Sequence, residues 1–366
     1  MRLERKCRVG ILILAFWLMF GFYVGGGREP VTSAPPAPSN FVPCFMLPGE
    51  ADFCGEAAPL SSSDVFERFD REFTLVTQSH AQVYLWLKRK ERYFPWVEAL
   101  LARMGLPGDL KYVAVAESDL TPHAVSRVGA CGPWQFMTET AGRFGMQCNS
   151  ALDDRYDFEK SATAAFQYLK HLHDIFHSWT LAAAAYNCGE NRLAAAMKLD
   201  KSSSYYDLVL PLETERYVFR ILAIKEVMEN PEKYGYYLPK GSGYPPLLFD
   251  SVQVSLPGPM PIIVAAQSAG VTYRDIKMLN TELISDVIPA GDLAVRVPQG
   301  RAKQFEKGVA AWKSAYKPAV VVHQVLRGET LDSIARHYNA TRAQLCQWNH
   351  IAGKKVRIGQ KLKIHR

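Results

Sequence analysis

The sequence predicts an α+β chain: an all-α region followed by two small βααβ modules. Three observations carry this. Residues 60–230 place apolar side chains at three- and four-residue steps, the period of helices with one buried face. A proline-rich stretch with Pro231, Pro239, Pro245, Pro246 and Pro257 then breaks the texture and marks a boundary. Beyond it, two segments of similar design, 250–299 and 320–366, each run from a β-like stretch through two short helices to a second β-like stretch. At 366 residues, 48% hydrophobic, the chain can bury a sizeable core and is long enough for two or three domains.

Taken in order, residues 1–27 read as an export signal or membrane anchor. Arg2, Arg5, Lys6 and Arg8 precede an apolar run from Val9 to Val24, short for a full membrane span. Residues 28–60, with prolines among Gly, Ser, Thr and Ala, read as a linker. Export implies an oxidising compartment, where disulfides form. Cys44 and Cys54 flank a loop-like stretch and are the expected pair, although connectivity does not follow from sequence. Residues 61–235 form the helical region. Phe66 to Met104 is helical up to Gly105 and Pro107, Leu110 to Glu117 is an apolar helix, and Ala162 to Phe176 carries one helical stripe. Leu181 to Tyr186 is apolar all round and is expected to be buried on every side. Ala302 to Ala315 is a helix between the two modules.

The formal net charge of +7 is unevenly spread: residues 301–366 hold 14 Lys/Arg against 3 Asp/Glu. A basic C-terminal module suits an anionic polymer or a membrane surface. A nucleic-acid partner is not expected, since no reader motif accompanies the charge. His173 and His177 have metal-like spacing on a helix, but no third ligand is evident and a solvated face is expected. No metal or cofactor is expected.

Glu117 is the candidate for chemistry. It ends the run Tyr112-Val113-Ala114-Val115-Ala116, and a carboxyl in apolar surroundings is pushed towards the neutral, proton-donating form. The series continues with Ser118, Pro122, Ala124, Ser126 and Gly129-Ala130, then Gly132-Pro133-Trp134-Gln135-Phe136-Met137. After Leu152-Asp153-Asp154-Arg155-Tyr156-Asp157 come Ala185-Tyr186-Asn187-Cys188-Gly189, Glu213-Thr214 and Tyr217-Val218. This ordered set resembles the soluble-lytic-transglycosylase type of catalytic domain, in the membrane-bound lytic transglycosylase D branch, over residues 65–235.

The resemblance implies a lysozyme-like fold and a reaction on bacterial cell-wall glycan. Glu117 would act as acid and then base. Gln135 and Phe136 would line the glycan groove, with Gln135 bonding an acetamido group. Tyr186 and Asn187 would sit opposite Glu117, Tyr217 would pack against the site, and Ser126 would support the loop after Glu117. Pro133, Cys131, Cys188 and Phe158 depart from the commoner residues of the family, and none removes a catalytic atom. Asp119, the nearest acid, would face away, since two helical positions differ by about 200°. With one carboxyl the substrate must supply the nucleophile, and the resemblance implies which one: the muramic acid C6 hydroxyl would attack C1 and leave a 1,6-anhydro ring. The implied setting is a Gram-negative periplasm, secreted or anchored at the inner membrane by residues 1–27 if they are not cleaved.

The last segment, Val325-x-x-Gly328-Glu329-Thr330-Leu331 through Asn349, Ile351 and Ile358-Gly359-Gln360, resembles a LysM domain. That places a groove for N-acetylglucosamine-containing glycan between Gly328–Leu331 and Asn349–Ile351, with Gly328, Thr330, Leu331, Asn349 and Ile351 as candidate contacts. Gly328 and Gly359 are also simple turn residues, and Thr330 a helix cap. The 250–299 segment looks like a degenerate repeat of the same type, with a spacer or docking role. Competing readings are a hydrolytic goose-type lysozyme, which needs a second acid, and a murein-binding scaffold with a dead catalytic domain.

Overall fold

A computed structural model describes residues 43–365 except 319, 339 and 352–355. The expected signal or anchor at 1–27 and most of the linker lie outside the described residues. Among those residues no helix is long and apolar enough to cross a membrane.

The elements fall in one unit, Phe45–Arg366. A two-stranded hairpin, β1 (Asp52–Phe53) and β2 (Glu56–Ala57), opens it. Phe53 is fully buried in the helical core and Phe45 and Leu47 pack against it. The linker expectation therefore fails for residues 45–60: the apolar side chains among the Gly and Pro join the core. Glu56 adds polar ties, its carboxylate accepting from the Thr180 amide at 3.0 Å and the Ser178 hydroxyl at 2.7 Å. All six described cysteines are free, so the expected Cys44–Cys54 pair is not formed.

Eight helices follow: α1 (Ser63–Gln78), α2 (His80–Met104), α3 (Lys111–Ser118), α4 (Thr138–Arg143), α5 (Phe158–Phe176), α6 (Trp179–Cys188), α7 (Glu190–Asp200) and α8 (Leu212–Glu229). The long helix expected from Phe66 to Met104 is two helices, broken at Ser79, whose ψ of 59° leaves the helical region. Gly105 in the left-handed conformation ends α2. Helix α6 is buried from Thr180 to Ala185. It lies against α5 and α8, and α8 also packs on α1 and α3.

The 250–299 segment folds as β3 (Phe249–Leu256), β4 (Met260–Pro261), α9 (Ile262–Ala269), α10 (Tyr273–Leu279), β5 (Val287–Ile288) and β6 (Gly291–Pro298). Strands β3 and β6 pair antiparallel in full register from Phe249↔Pro298 to Leu256↔Gly291. Helix α11 (Ala302–Ala315) packs on α9. The last segment is β7 (Val320–Gln324), α12 (Leu331–His337), α13 (Arg342–Asn349) and β8 (Lys361–His365), with β7 antiparallel to β8.

The two modules share more than element order. Asn280 closes α10, with its Nδ2 donating to the Ile276 carbonyl (2.8 Å) and the Arg296 carbonyl (2.7 Å) and its Oδ1 accepting from the Arg296 amide (2.8 Å). Asn349 does the same at the end of α13, with Leu345 (3.0 Å) and with the carbonyl and amide of Lys363 (2.8 and 2.6 Å). One asparagine thus staples the second helix of each module to its last strand. The staple makes Asn280–Glu282 the counterpart of Asn349–Ile351.

In the first module that loop is bonded to the helical region. The Asp153 amide donates to the Glu282 carbonyl (2.8 Å), the Ile284 amide to Ala151 (3.1 Å) and the Thr281 hydroxyl to Tyr156 (2.6 Å). Arg296, on β6, joins buried Asp157 at 2.8 Å and Glu282 at 3.6 Å. Burial, then the Asp157 charge, pushes Glu282 up to about 7, against the pull of Arg296.

Candidate active site

Helix α3 buries Tyr112, Val113, Ala114 and Val115 and then stops abruptly. Asp119 and Leu120 both adopt positive φ, 57° and 58°, and their amides close back on Val115 and Ala114. Glu117 therefore stands in the last turn, where the helix dipole also disfavours a negative charge. It lines a cavity of about 260 Å³ with Glu72, Trp86, Asp119, Arg216 and Arg220. Burial pushes its carboxyl up to about 7; the Tyr217 hydroxyl and the Arg220 charge pull the other way, and Glu213 adds a small upward push. The Tyr217 hydroxyl donates to Glu117 Oε1 at 2.5 Å.

The chain after α3 is built as a rigid hairpin. Ser118 Oγ, buried, donates to the Pro133 carbonyl at 2.8 Å. Ser126 Oγ accepts from the Ala130 amide at 2.9 Å, supporting the turn between them. Cys131 and Phe136 exchange two backbone bonds of 3.0 and 3.1 Å. Gly132, at φ +82°, leaves no room for a side chain: a Cβ there would lie 1.8 Å from the Arg155 carbonyl oxygen. Arg155 Nη1 donates to the carbonyls of Gly129 and Phe136, both at 3.2 Å, while Asp153 holds the guanidinium at 2.7 Å. The motif Asp153–Asp157 thus acts as a bracket for the segment that carries Gln135.

Gln135 is half-buried at φ 49°, and its Nε2 donates to the Gly132 carbonyl at 2.7 Å. Its amide nitrogen is committed to the hairpin, so only Oε1 is left to accept from a ligand. Phe136 was expected to line the groove, but it is 3% exposed and packs beneath, 6.1 Å from the Tyr186 ring. Tyr186 donates to the Trp134 carbonyl at 2.7 Å, and Asn187 Oδ1 accepts from Thr214 Oγ1 at 2.7 Å. Burial and the nearby Glu117 carboxyl raise the Tyr186 and Tyr217 phenols well above their ordinary value, so both stay protonated.

Three charged neighbours escape sequence reasoning: Glu72, Arg216 and Arg220. Glu72, 2% exposed, meets Arg71, Arg216 (2.6 Å) and Arg220 (3.7 Å). Arg216 and Arg220 are one turn apart on α8, flanking Tyr217; that spacing is the signal that could have revealed them. Asp119 does not face away, because its left-handed backbone breaks the helical angle. It lines the Glu117 cavity, its Oδ1 accepting from Gln82 Nε2 and Trp86 Nε1, both at 2.7 Å. Glu213, in the last motif, is exposed on the first turn of α8. Among the described residues no cluster of three His, Cys, Asp or Glu could hold a metal ion. His173 stacks on Trp179 at 4.0 Å.

In the last module Gly328 takes φ +89° at its turn, and Thr330 caps α12 by accepting from the Ser333 amide at 3.1 Å. Leu331 is 1% exposed and belongs to the module core, so it does not face a glycan; it is buried because it opens α12 on the inward side. Asn349 is consumed by its staple. Ile351 is half-buried against the same core. Of the five candidates, only Gly328 and Thr330 keep an exposed or partly exposed position outside the core and staple.

Residues 94–209 match the family model of the Transglycosylase SLT domain, and residues 323–365 that of the LysM domain. Over 292 residues the chain is 31% identical to the membrane-bound lytic murein transglycosylase D of Escherichia coli strain K12, covering 75% of this chain and 64% of that protein. Over 132 residues it is 32% identical to a putative tributyltin chloride resistance protein of Alteromonas sp. strain M-1, covering 35% and 63%. The chain therefore spans less than two thirds of these relatives' lengths. Among solved structures, the 70 kDa soluble lytic transglycosylase SLT70 of Escherichia coli aligns with a TM-score of 0.34 at 22% identity, over 47% of this chain and 31% of that one.

Proposed function

We propose that this chain, which carries a transglycosylase SLT domain followed by a LysM domain, is a peptidoglycan lytic transglycosylase. It would cleave the β-1,4 bond between N-acetylmuramic acid and N-acetylglucosamine without water. The observation that carries this is the carboxyl of Glu117. Held up at about 7, it keeps about half of its population protonated at neutral pH, where an ordinary glutamate would be almost fully ionised, and can give a proton to a leaving oxygen.

The step follows from that one group. Glu117 protonates the O4 that leaves C1 of the muramic acid. The resulting carboxylate then takes the proton from the C6 hydroxyl as O6 bonds to C1. The acid form is regenerated and the product ends in a 1,6-anhydro ring. Tyr217 holds Oε1 throughout, and Gln135 Oε1 accepts from an acetamido N–H of the substrate. Tyr186 and Asn187 stiffen the opposite wall through Trp134 and Thr214. Asp119 and Glu72, the other carboxylates lining the cavity, are both engaged by donors, which argues against either activating a water. Glu213 is exposed and unbonded to the others, and is the acid a hydrolytic reading would need. The C-terminal module would hold the enzyme on murein, and the setting would be the periplasmic cell wall, with membrane attachment if residues 1–27 are retained.

The test is mass spectrometry of fragments released from purified murein, with Glu117→Gln beside the parent chain. Anhydro-ended fragments that vanish in the variant are expected. Fragments heavier by one water would instead establish hydrolysis and direct attention to Glu213→Gln. Sedimentation with murein but no release would mean a binding scaffold.

A further inference from the structure

A second cavity, of about 510 Å³, lies at the seam between the helical region and the first βααβ module. Its size is that of small-molecule sites, roughly 300–1,000 Å³, which favour domain interfaces. Glu117, Gln135 and Tyr186 take no part in it. One wall is aromatic. Tyr93 and Phe158 stack with centroids 4.3 Å apart, and Trp96 meets Phe158 at 6.1 Å and 66°. Met278 and Thr281 of the module, and Leu248 just before it, complete the lining.

The charged groups of the lining balance. Arg92 and Arg296 stand against Asp157 and Glu159. Arg296 already bonds both carboxylates, at 2.8 and 3.4 Å. An anionic ligand would meet the two carboxylates and a cationic one the two guanidiniums. A purely apolar ligand would desolvate Arg92 and Glu159 without replacing their water. What suits rings, balanced charges and spare donors and acceptors is a neutral molecule with apolar faces and a polar rim. Arg92 uses Nε on the Pro245 carbonyl (2.9 Å), bonds the Tyr93 side chain and lies over the Tyr244 ring, which leaves part of its five N–H groups for a ligand, while the Glu159 side chain is 37% exposed and can accept. A pyranose has this character: C–H faces that lie on aromatic rings and a rim of hydroxyl and acetamido groups.

The position agrees with the chemistry. Thr281 belongs to the loop that the asparagine staple equates with Asn349–Ile351 of the last module. In the first module this loop borders the seam cavity. We propose that the seam cavity is a second saccharide site, taking an N-acetylglucosamine unit of a glycan strand away from the cleavage site. The inference rests on the murein-cleaving reading above.

The test uses the full chain with Glu117→Gln, to prevent turnover, and a photoreactive N-acetylglucosamine tetramer, with adducts mapped by peptide mass spectrometry. Adducts are expected on the peptides holding Tyr93 and Trp96 and on those holding Met278, in addition to any at Tyr186 or in the last module. They should disappear with excess unlabelled tetramer. His123 and Met278 are exposed members of the lining. His123→Ala with Met278→Glu should lower the seam adducts at least tenfold and leave those at Tyr186 unchanged, which also verifies the variant's fold. Adducts confined to the Tyr186 region and the last module overturn the proposal. So do seam adducts that survive competition or the double variant. Failure of the parent chain to release any murein fragment would sink the transglycosylase reading alone, since seam labelling is scored without turnover.

Discussion

Tyr217→Phe isolates the bond that tunes the acid. The hydroxyl donates to Glu117 Oε1 at 2.5 Å and is the larger of the two influences that hold the carboxyl down against burial. A hydrogen bond to a charged group is worth about 1.5–3 kcal/mol, and a pKa change of 1 corresponds to 1.36 kcal/mol. Losing the bond destabilises the carboxylate, so Glu117 should titrate about one to two pH units higher than its present value of about 7. Proton donation requires the acid form, so the alkaline limb of murein cleavage should move up by the same interval. At pH 6 the loss would be modest, because the acid is already protonated there. The assay is release of anhydro-ended fragments from pH 5 to 10, with thermal melts to verify the fold. An alkaline limb that stays in place or moves down would refute the reasoning, since Tyr217 would then not be bonded to the carboxylate that titrates.

Glu117→Gln should be more stable than the parent above pH 7: the rise from 4.5 to about 7 is worth about 3 kcal/mol. The buried site favours the neutral acid, so the parent's deficit is absent below about pH 4.5 and grows as pH rises through 7; melting both proteins across pH 4–9 tests this. Arg296→Ala should cost about 3–5 kcal/mol by leaving Asp157 and Glu282 buried without their cation, and limited proteolysis near residue 250 should become faster. Asn280→Ala should destabilise more than Asn349→Ala, because Asn280 is fully buried and its stranded backbone partners cost about 1–3 kcal/mol each, while water reaches the half-buried Asn349; urea titration of both variants decides it. Gly132→Ala should abolish cleavage through its clash with Arg155, and a parent-like rate in that variant would show the hairpin to be pliable.

The helical region and the order of the site motifs were legible because helices repeat apolar residues and because Glu117 ends an apolar run. Tyr217 was found from its motif, but its bond to Glu117 joins residues a hundred positions apart, which no periodicity encodes. The same holds for Glu72, whose acidic side chain on an amphipathic helix looks like a solvated one until Arg216 and Arg220 are folded against it. The place of Asp119 does not follow from helical geometry, because φ changes sign at that residue. Phe53 was lost in the linker because a few apolar residues among prolines carry no period. Leu331 and Asn349 look like sugar contacts in sequence because core, cap and groove residues of so small a module sit side by side.

The bracket formed by Asp153 and Arg155 has a mechanical consequence. Glu282 of the first module holds the amide of Asp153, Asp153 holds Arg155, and Arg155 holds the carbonyl of Phe136 beside Gln135. Three successive contacts therefore link the outer module to the wall of the cleft. A fragment trimmed to residues 61–235 would retain every side chain of the cleft and still lose the brace on one side of it.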